Sequence, residues 1–452
     1  MSLLQTFDKI IKNRITNMLK SIKTRLIVMN ILQWAVWGSY LTSMSNYLIN
    51  AGLKEHIGDF FALQGIVSIF MPTIMGIIAD KWIPAQKLLG ICHGIAALGI
   101  LGAGYYGMSM SQNGGGEVSF SILYGLYAIG TAFYMPTIAL SNSVAFKILE
   151  RNNYDTVTAF PPIRVFGTIG FIAAMLFVNF VSIDGVKFQD SYNQFFTSGV
   201  IGLTMLVYCF TLPNCPCNTN ADQKVSLADR FGLNAFVLFK DKQMAIFFLF
   251  SMLLGAALQV TNGYATPFIS HFQVTDPMSW GAQNANAIYS VSQVAETLGI
   301  LLIPFAMKRF GIKNVMLIAM GAWVLRFGLF GTGNTGSGIW MLLLSCVIYG
   351  VAFDFFNISG ALYTNSRTSG KLQNSAQGLF MLMTNGIGAT IGMYAAQAVV
   401  DKFTWTETVG EFTYTVGDWQ TCWFIFAGYA LVVGILFFFL FKKPKGNEPL
   451  LG

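Results

Sequence analysis

The chain has 452 residues, of which 54% are hydrophobic and only 10% are charged. Soluble domains usually carry about 25% charged residues, so this composition excludes an ordinary soluble protein and predicts several membrane-spanning segments. The formal net charge of +7 does not indicate a nucleic-acid partner, because the basic residues form short clusters between apolar runs. Such clusters are typical of the loops of a membrane protein.

The first 25 residues predict a basic cytoplasmic segment. Apolar residues recur there at helical spacing, with Lys9, Lys12 and Arg14 among the residues between them. This pattern is typical of an amphipathic helix on the membrane surface, although a flexible basic tail fits the composition as well. We expect no cleaved signal peptide, because the apolar run begins only after Arg25 and shows no small-residue cleavage site.

Twelve apolar runs follow this segment. Each is long enough to cross the hydrocarbon core, which requires about 20 mostly apolar residues. We therefore predict an all-α membrane protein with twelve transmembrane helices. The predicted spans are residues 26–50, 58–79, 86–108, 118–146, 161–181, 193–213, 243–270, 284–307, 313–333, 338–363, 373–400 and 420–441.

The distribution of basic residues predicts the orientation of these spans. If both termini are cytoplasmic, most of the 27 Lys and Arg lie in cytoplasmic segments, and the outer loops keep only Lys54, Lys187 and Lys402. The positive-inside rule therefore favours two cytoplasmic termini. The longest inner loop, residues 214–242, divides the chain into two six-helix halves, residues 26–213 and 243–441, and a cytoplasmic tail follows at 442–452.

Two of the inner loops are similar to each other. After the second span, "GIIADKWIPAQK" contains Asp80 and Lys81, and after the eighth span "PFAMKRFGIK" contains Arg309 and Lys313. These loops resemble the helix 2–3 signature Gly-x-x-x-Asp-Arg/Lys-x-Gly-x-Arg/Lys of the major facilitator superfamily, although Ile83 replaces the usual second glycine in the first copy. The resemblance implies a transporter whose two halves rock around a site at the membrane midplane.

Four charged residues lie inside the predicted spans rather than at their ends: Arg164, Glu296, Arg326 and Asp354. A charge at the membrane centre costs on the order of 2.5–3.5 kcal/mol on insertion scales, so each is a functional candidate. Burial disfavours the charged form of Glu296, and a proton-coupled carrier needs a carboxyl that gains and loses a proton. Two alternatives stay open: Arg326 and Asp354 form a structural ion pair, or Arg164 is an interfacial arginine.

Polar and aromatic side chains stand three, four or seven residues from one another in these spans. This spacing puts them on one face of a helix. Amides that only bond neighbouring helices remain an alternative for some of them. In the first span, Trp34 and Trp37 either lie at the membrane interface or face a substrate. The candidate binding residues, on the fifth, seventh, eighth and tenth spans, are Arg164, Thr168, Phe171, Gln259, Asn262, Gln293, Glu296, Tyr349, Phe353 and Asp354.

Segments along nearly the whole chain from about Ile27 resemble one family. "FPPIRVFGTIGF", "SVSQVAETL", "YGVAFDFFNISG" and "SAQGLFMLMTNGIG" are similar to segments of the nucleoside:proton symporter family, of the bacterial nucleoside permease type. The resemblance implies a monomer in the inner membrane that imports nucleosides, such as uridine or adenosine, with protons and without a cofactor. The family's nucleoside-site residues match the same ten positions, with Glu296 and Asp354 as the expected proton-coupling groups.

The sequence departs from the family at Ala257, where some members carry a carboxylate, and in its longer basic N-terminal segment. A proton-coupled sugar or oligosaccharide symporter of the same fold would also use stacking rings and amides. A membrane-embedded enzyme would need a nucleophile–base or metal constellation, and His56, His93 and His271 are too dispersed to suggest one. A channel is the third alternative, but two six-helix halves with paired carboxylates favour alternating access. We therefore expect no enzymatic activity and no metal site.

Overall fold

A computed structural model describes residues 21–112, 117–217, 233–368 and 371–442. Nine helices in these ranges are long and apolar enough to cross a membrane. Helices dominate because a backbone in lipid must satisfy its hydrogen bonds internally. Most of the predicted N-terminal amphipathic segment, the middle of the 214–242 loop and nearly all of the C-terminal tail lie outside the described residues.

The described residues up to Cys217 contain seven α-helices. They are Ile22–Gly38 (α1), Met44–Asn50 (α2), Ile57–Lys81 (α3), Ala85–Gln112 (α4), Phe120–Arg151 (α5), Thr156–Phe180 (α6) and Asn193–Cys209 (α7).

Seven more α-helices lie in the described residues from Leu233 onward. They are Lys242–Ser270 (α8), Trp280–Gln283 (α9), Ala285–Thr332 (α10), Ile339–Ser366 (α11), Lys371–Met381 (α12), Ala389–Phe403 (α13) and Trp419–Leu440 (α14). A π-helical segment, Leu382–Gly388, joins α12 to α13.

Two short antiparallel hairpins, which the sequence did not predict, lie between helices in the part of the chain that the structure describes. Strand β1 (Ser182–Ile183) pairs with β2 (Val186–Lys187) between α6 and α7. Strand β3 (Thr404–Val409) pairs with β4 (Phe412–Gly417) between α13 and α14. The protein is therefore mostly helical rather than purely helical.

The first predicted span is divided into α1 and α2. Between them, Ser39 Oγ donates to the Ala35 carbonyl at 2.8 Å. Thr42 Oγ1 lies 2.8 Å from Asn286 Oδ1, and Ser43 Oγ lies 3.0 Å from Gln194 Oε1. Ser and Thr hydroxyls compete with the helical ladder for hydrogen bonds, so the helix breaks where these side chains bond to their neighbours.

The predicted eighth and ninth spans are joined in α10, whose backbone turns at Gly311. The φ angle of 71° at this glycine is non-helical, and a residue with a Cβ adopts it only at a steric cost. Two apolar segments therefore lie on either side of the turn, as the sequence predicts. The segment after Gly311 contacts α11 through Arg326, which donates to the Ser345 carbonyl. It contacts α14 through Phe327, whose ring stacks with Trp423.

Helices α1 and α6 are in direct backbone contact. A Cβ placed on Gly170 would lie 2.8 Å from the Ile31 Cα, closer than real Cβ atoms approach. Small residues allow such close approach between helices in membranes. The contact fixes how α1 presents its tryptophans beside α6.

We expect Gly170→Ala to separate α1 from α6 and to lower the melting temperature in detergent by several degrees, because overpacking costs about 1–3 kcal/mol. Gly125→Ala is the matched control, since a Cβ there meets no heavy atom within 4 Å. Alanine favours helix over glycine, so the control should melt at the same temperature or higher. Equal melting of the two variants would contradict the close contact.

Candidate functional site

One wall of the candidate site is built by α1 and α6. The Arg164 guanidinium lies over the Trp34 ring, 3.9 Å from its centroid. The Trp34 and Trp37 ring centroids are 6.0 Å apart, and Trp37 meets Phe171 edge-on at 6.4 Å. A cation held against an aromatic face is attracted by the ring's quadrupole. Arg164 is thus held beside an aromatic cluster, and Thr168 lies half-buried one turn further along α6.

A buried polar network supports this wall from behind. The Gln33 side chain bonds His93 Nε2 at 2.8 Å and Thr137 Oγ1 at 2.8 Å. The Tyr134 hydroxyl donates to the Gln33 carbonyl at 2.8 Å. Gln33 and His93 are fully buried, and buried polar networks of this kind rigidify the elements that they join. His93 therefore joins helices rather than facing solvent.

The opposite wall is built by α10 and α11. A Cβ on Gly350 would lie 2.6 Å from the Ala295 carbonyl carbon, so the two backbones touch next to Glu296. The Tyr349 and Phe353 rings are parallel within 2°, with centroids 5.7 Å apart. Asp354 follows them and is only 3% exposed.

Electrostatic interactions connect the two walls. Glu296 lies near enough to Arg164 and to Asp354 for their charges to influence it, although none of the direct ion pairs among the described residues includes it. Within the described part of the chain, Asp354 Oδ2 has no hydrogen-bond partner. The structure thus brings together one guanidinium and two carboxyl groups from α6, α10 and α11. These three residues are separated by up to 190 positions in the sequence.

The amides of α8 complete the site. Asn262 Nδ2 donates to Gln259 Oε1 at 3.4 Å, and the Tyr289 hydroxyl donates to Asn262 Oδ1 at 3.1 Å. The sequence analysis missed Tyr289, although it stands four residues before Gln293 and seven before Glu296, on the same face of α10. Gln293 is half-buried between them.

Arg326 does not form the ion pair with Asp354 that the sequence analysis considered. Its guanidinium donates from Nη1 to the Ser345 carbonyl at 2.7 Å and lies 4.6 Å from the Tyr349 ring centroid. Ser345 and Tyr349 are one to three helical turns before Asp354 on α11. Arg326 therefore packs against the Tyr349 side of the helix, and none of the ion pairs among the described residues includes it.

The arrangement is suited to binding a flat, polar molecule. Phe353 and Tyr349 offer ring surface, the amides of Gln259 and Asn262 offer donors and acceptors, and the two carboxyl groups accept hydrogen bonds or protons. Ligand-binding sites in proteins commonly combine apolar walls with a few polar groups that fix the ligand's orientation.

Several known proteins are similar in sequence to this chain over almost its full length. The family model described as "Nucleoside H+ symporter" matches residues 20–446. The xanthosine permease of Escherichia coli K12 is 44% identical over 437 residues, which cover 95% of this chain and 98% of that protein. The nucleoside permease NupG of the same strain is 41% identical over equal shares of both chains.

Solved structures agree with these sequence matches. A crystal structure of the nucleoside transporter NupG matches with a TM-score of 0.81 and 39% identity, covering 94% of this chain and 100% of that chain. A bacterial homologue of the human lysosomal transporter Spinster, inward-facing and unoccupied, covers 93% of this chain and 96% of its own at a TM-score of 0.64. At 13% identity the second match shows the fold alone. The chain belongs to the nucleoside H+ symporter family.

Proposed function

We propose that this protein imports nucleosides together with protons across the bacterial inner membrane by alternating access. The observation that carries the proposal is the electrostatic chain from Arg164 through Glu296 to Asp354, which lies beside the stacked Tyr349 and Phe353 in a chain of this family. The protein is a transporter and not an enzyme.

The described helices support a count of twelve spans in two six-helix halves. In this count α1 with α2 forms the first span, and α7 forms the sixth. Helix α10 supplies the eighth and ninth spans on either side of Gly311, and α12 to α13 supplies the eleventh. The distribution of basic residues supports two cytoplasmic termini, and in this proposal the protein acts as a monomer.

Nucleoside recognition follows from the two kinds of surface. The base stacks on Phe353 or Phe171, a contact worth about 1–3 kcal/mol per base in other proteins. Amides of Gln259, Asn262 and Gln293 bind the ribose hydroxyls and the base edge. Because buried polar groups are left unpaired by a ligand that lacks matching atoms, the site discriminates against such ligands.

Proton coupling follows from the two carboxyl groups. Two carboxylates close together in a poorly hydrated interior repel each other, and one proton removes this repulsion. Either Glu296 or Asp354 takes that proton from the outside, while Arg164 stabilises the ionised form of Glu296. The loaded carrier then holds less buried charge, and substrate and proton cross together.

The contacts between α1–α7 and α8–α14 support a state that is closed on the outer side. Lys54 pairs with Asp401 at 3.1 Å. Asn46 Nδ2 donates to Ser270 Oγ at 3.0 Å, and Lys187 Nζ donates to the Gln283 carbonyl at 2.7 Å. Lys54 and Lys187 belong to the loops that the positive-inside rule places outside. Opening toward the outside would break these bonds.

The proposal is tested by uptake of labelled uridine into proteoliposomes. We expect accumulation only when the outside is more acidic than the lumen, and competition by nucleosides but not by free bases or sugars. No accumulation of uridine, together with accumulation of a labelled sugar under the same pH gradient, would support the sugar symporter instead.

The coupling role is tested with Glu296→Gln and Asp354→Asn, which keep the side-chain shape but cannot release a proton. We expect at least one of the two variants to lose accumulation of uridine driven by the pH gradient. The same variant should still carry uridine down the concentration gradient of uridine. Full accumulation by both variants would show that neither carboxyl couples transport to protons.

The stacking role is tested at Phe353. We expect Phe353→Ala to raise KM for uridine by roughly tenfold or more, because the stacking energy is lost, whereas Phe353→Tyr retains a ring and a near-normal KM. The matched control is Phe305→Ala, a phenylalanine on α10 that is 63% exposed. Equal KM values for the alanine and tyrosine variants of Phe353 would argue against stacking.

The outer closure should depend on pH through Asp190, which accepts a hydrogen bond from Asn46 at 3.1 Å. Burial raises the pKa of Asp190 to about 6, although Asn46 and Lys187 act in the opposite direction. Opening hydrates the carboxyl and returns its pKa toward the ordinary range. The closed state therefore binds the proton more tightly, and closure is favoured as pH falls through about 6.

The measurement is the alkylation rate of an Ile49→Cys variant, since Ile49 lines the small cavity beneath the β3–β4 hairpin. Relative to the same variant carrying Asp190→Asn, alkylation by a membrane-impermeant maleimide should slow as the pH falls from about 7.5 to about 5. The Asp190→Asn background corrects for the thiol's own pH dependence. A constant ratio across this range would exclude Asp190 as the titrating group.

A further inference from the structure

Arg326 is a buried cation that the ten-residue site does not include. Its side chain is 0% exposed, and within the described ranges no carboxylate pairs with it. Its Nε and Nη2 atoms have no hydrogen-bond partner there. Burying a charge without a counter-ion is costly. The hydrogen bonds and ring contacts that Arg326 makes must therefore stabilise its charge, and they indicate its role.

Arg326 joins both segments of α10 to α11. Its Nη1 donates to the Ser345 carbonyl at 2.7 Å and to Ser292 Oγ at 3.4 Å. In return, the Ser345 hydroxyl donates to the Arg326 carbonyl at 2.9 Å. Ser292 directly precedes the site residue Gln293, and Ser345 lies one turn before the site residue Tyr349.

The rest of the guanidinium faces two tyrosine rings that reach the site. Its central carbon lies 4.6 Å from the centroid of Tyr349 and 5.7 Å from that of Tyr289. Tyr349 stacks in parallel with Phe353, and the Tyr289 hydroxyl donates to Asn262. Cation–ring contacts of this kind gain strength where water is excluded.

The Tyr289 hydrogen bond decides what the Asn262 amide offers a ligand. An asparagine side chain has an accepting oxygen and two N–H donors. Tyr289 occupies the oxygen at 3.1 Å, and Gln259 receives one N–H at 3.4 Å. The second N–H is left for a ligand, so Tyr289 presents Asn262 to the site as a hydrogen-bond donor.

We propose that Arg326 is a positioning residue for nucleoside binding. Through Tyr289 it holds Asn262 as a donor, and through Tyr349 it holds the plane of the Tyr349–Phe353 stack. This inference rests on the proposed function and adds Arg326 and Tyr289 to the groups that determine affinity. The complementary ligand group is an acceptor, such as a base carbonyl or a ribose oxygen.

A positioning role and a purely structural role of Arg326 lead to different expected values of KM and melting temperature in its variants. Loss of a structural contact lowers the amount and the melting temperature of folded protein, but each folded molecule keeps its KM. Loss of a positioning contact raises KM at normal levels of folded protein, and it leaves kcat nearly unchanged. Uridine uptake per folded transporter, measured in proteoliposomes with an acidic exterior, separates the two.

The test uses Arg326→Lys, Tyr289→Phe and the double variant. Arg326→Lys keeps the charge but loses the planar group, and Tyr289→Phe removes only the hydroxyl. We expect each single variant to raise KM for uridine by roughly 2- to 10-fold, as for one lost hydrogen bond. Arg326 and Tyr289 act in one chain of contacts. The fold-increase in KM of the double variant should therefore be smaller than the product of the fold-increases of the two single variants.

Arg309→Lys is the matched control. Arg309 also lies on α10, but it is exposed and contacts the ring of its neighbour Phe310 at 5.8 Å. We expect its KM to equal that of the unsubstituted protein.

An unchanged KM in Arg326→Lys or in Tyr289→Phe, or multiplicative effects in the double variant, would overturn the inference while leaving the proposed function intact. If Arg326→Lys does not reach the membrane folded, the result for Tyr289→Phe decides alone. A raised KM for uridine supports the chain of contacts from Arg326 through Tyr289 to Asn262, and an unchanged KM refutes it. If the unsubstituted protein does not accumulate uridine, both the proposed function and this inference fail.

Discussion

The attraction between Arg164 and Glu296 is the interaction on which the rest of the site depends. The two residues lie on α6 and α10, which belong to the first and second parts of the chain. An isolated charge inside a membrane protein is costly, so each stabilises the other where the two parts meet. Asp354 adds a second carboxyl to this pair, so the site carries one negative charge more than Arg164 can neutralise. A bound proton neutralises that charge, and a polar substrate stabilises it by donating hydrogen bonds.

Close helix packing makes each wall of the site rigid. Glycines let α1 touch α6, and they let α10 touch α11, backbone against backbone. The aromatic cluster around Trp34 and the stacked Tyr349 and Phe353 are therefore carried on pairs of helices rather than on mobile loops. Rigid walls joined by breakable polar bonds at one side, such as Lys54 to Asp401, suit a carrier whose parts rock around a central site.

The sequence predicted those features that depend on composition and helical periodicity. Apolar length predicted long membrane-spanning helices, of which the described residues contain nine, and the rare charges within the apolar runs indicated Arg164, Glu296 and Asp354. The partner of Arg326 was not predictable, because periodicity says which face a residue occupies but not which neighbouring helix lies opposite. Tyr289 stands at helical spacing from Gln293 and Glu296, but a tyrosine on such a face has no feature that separates a site residue from core.

The β3–β4 hairpin was missed for a different reason. The segments "TWTETV" and "FTYTVG" alternate in polarity around Gly410, whose φ is 64°, a pattern typical of a tight hairpin. Membrane spans are indicated by long apolar runs, and these two six-residue strands with several threonines contain no such run. The break between α1 and α2 likewise depends on hydrogen bonds to Asn286 and Gln194, which lie far away in the sequence.

The central claim is that nucleoside and proton cross together. Its most direct test is the lumenal pH of proteoliposomes that contain a trapped pH-sensitive dye and start without a pH gradient. Addition of uridine outside should acidify the lumen, at a rate that follows uridine entry and disappears when the protein is omitted. Uridine entry at an unchanged lumenal pH would contradict proton symport and leave facilitated diffusion in its place.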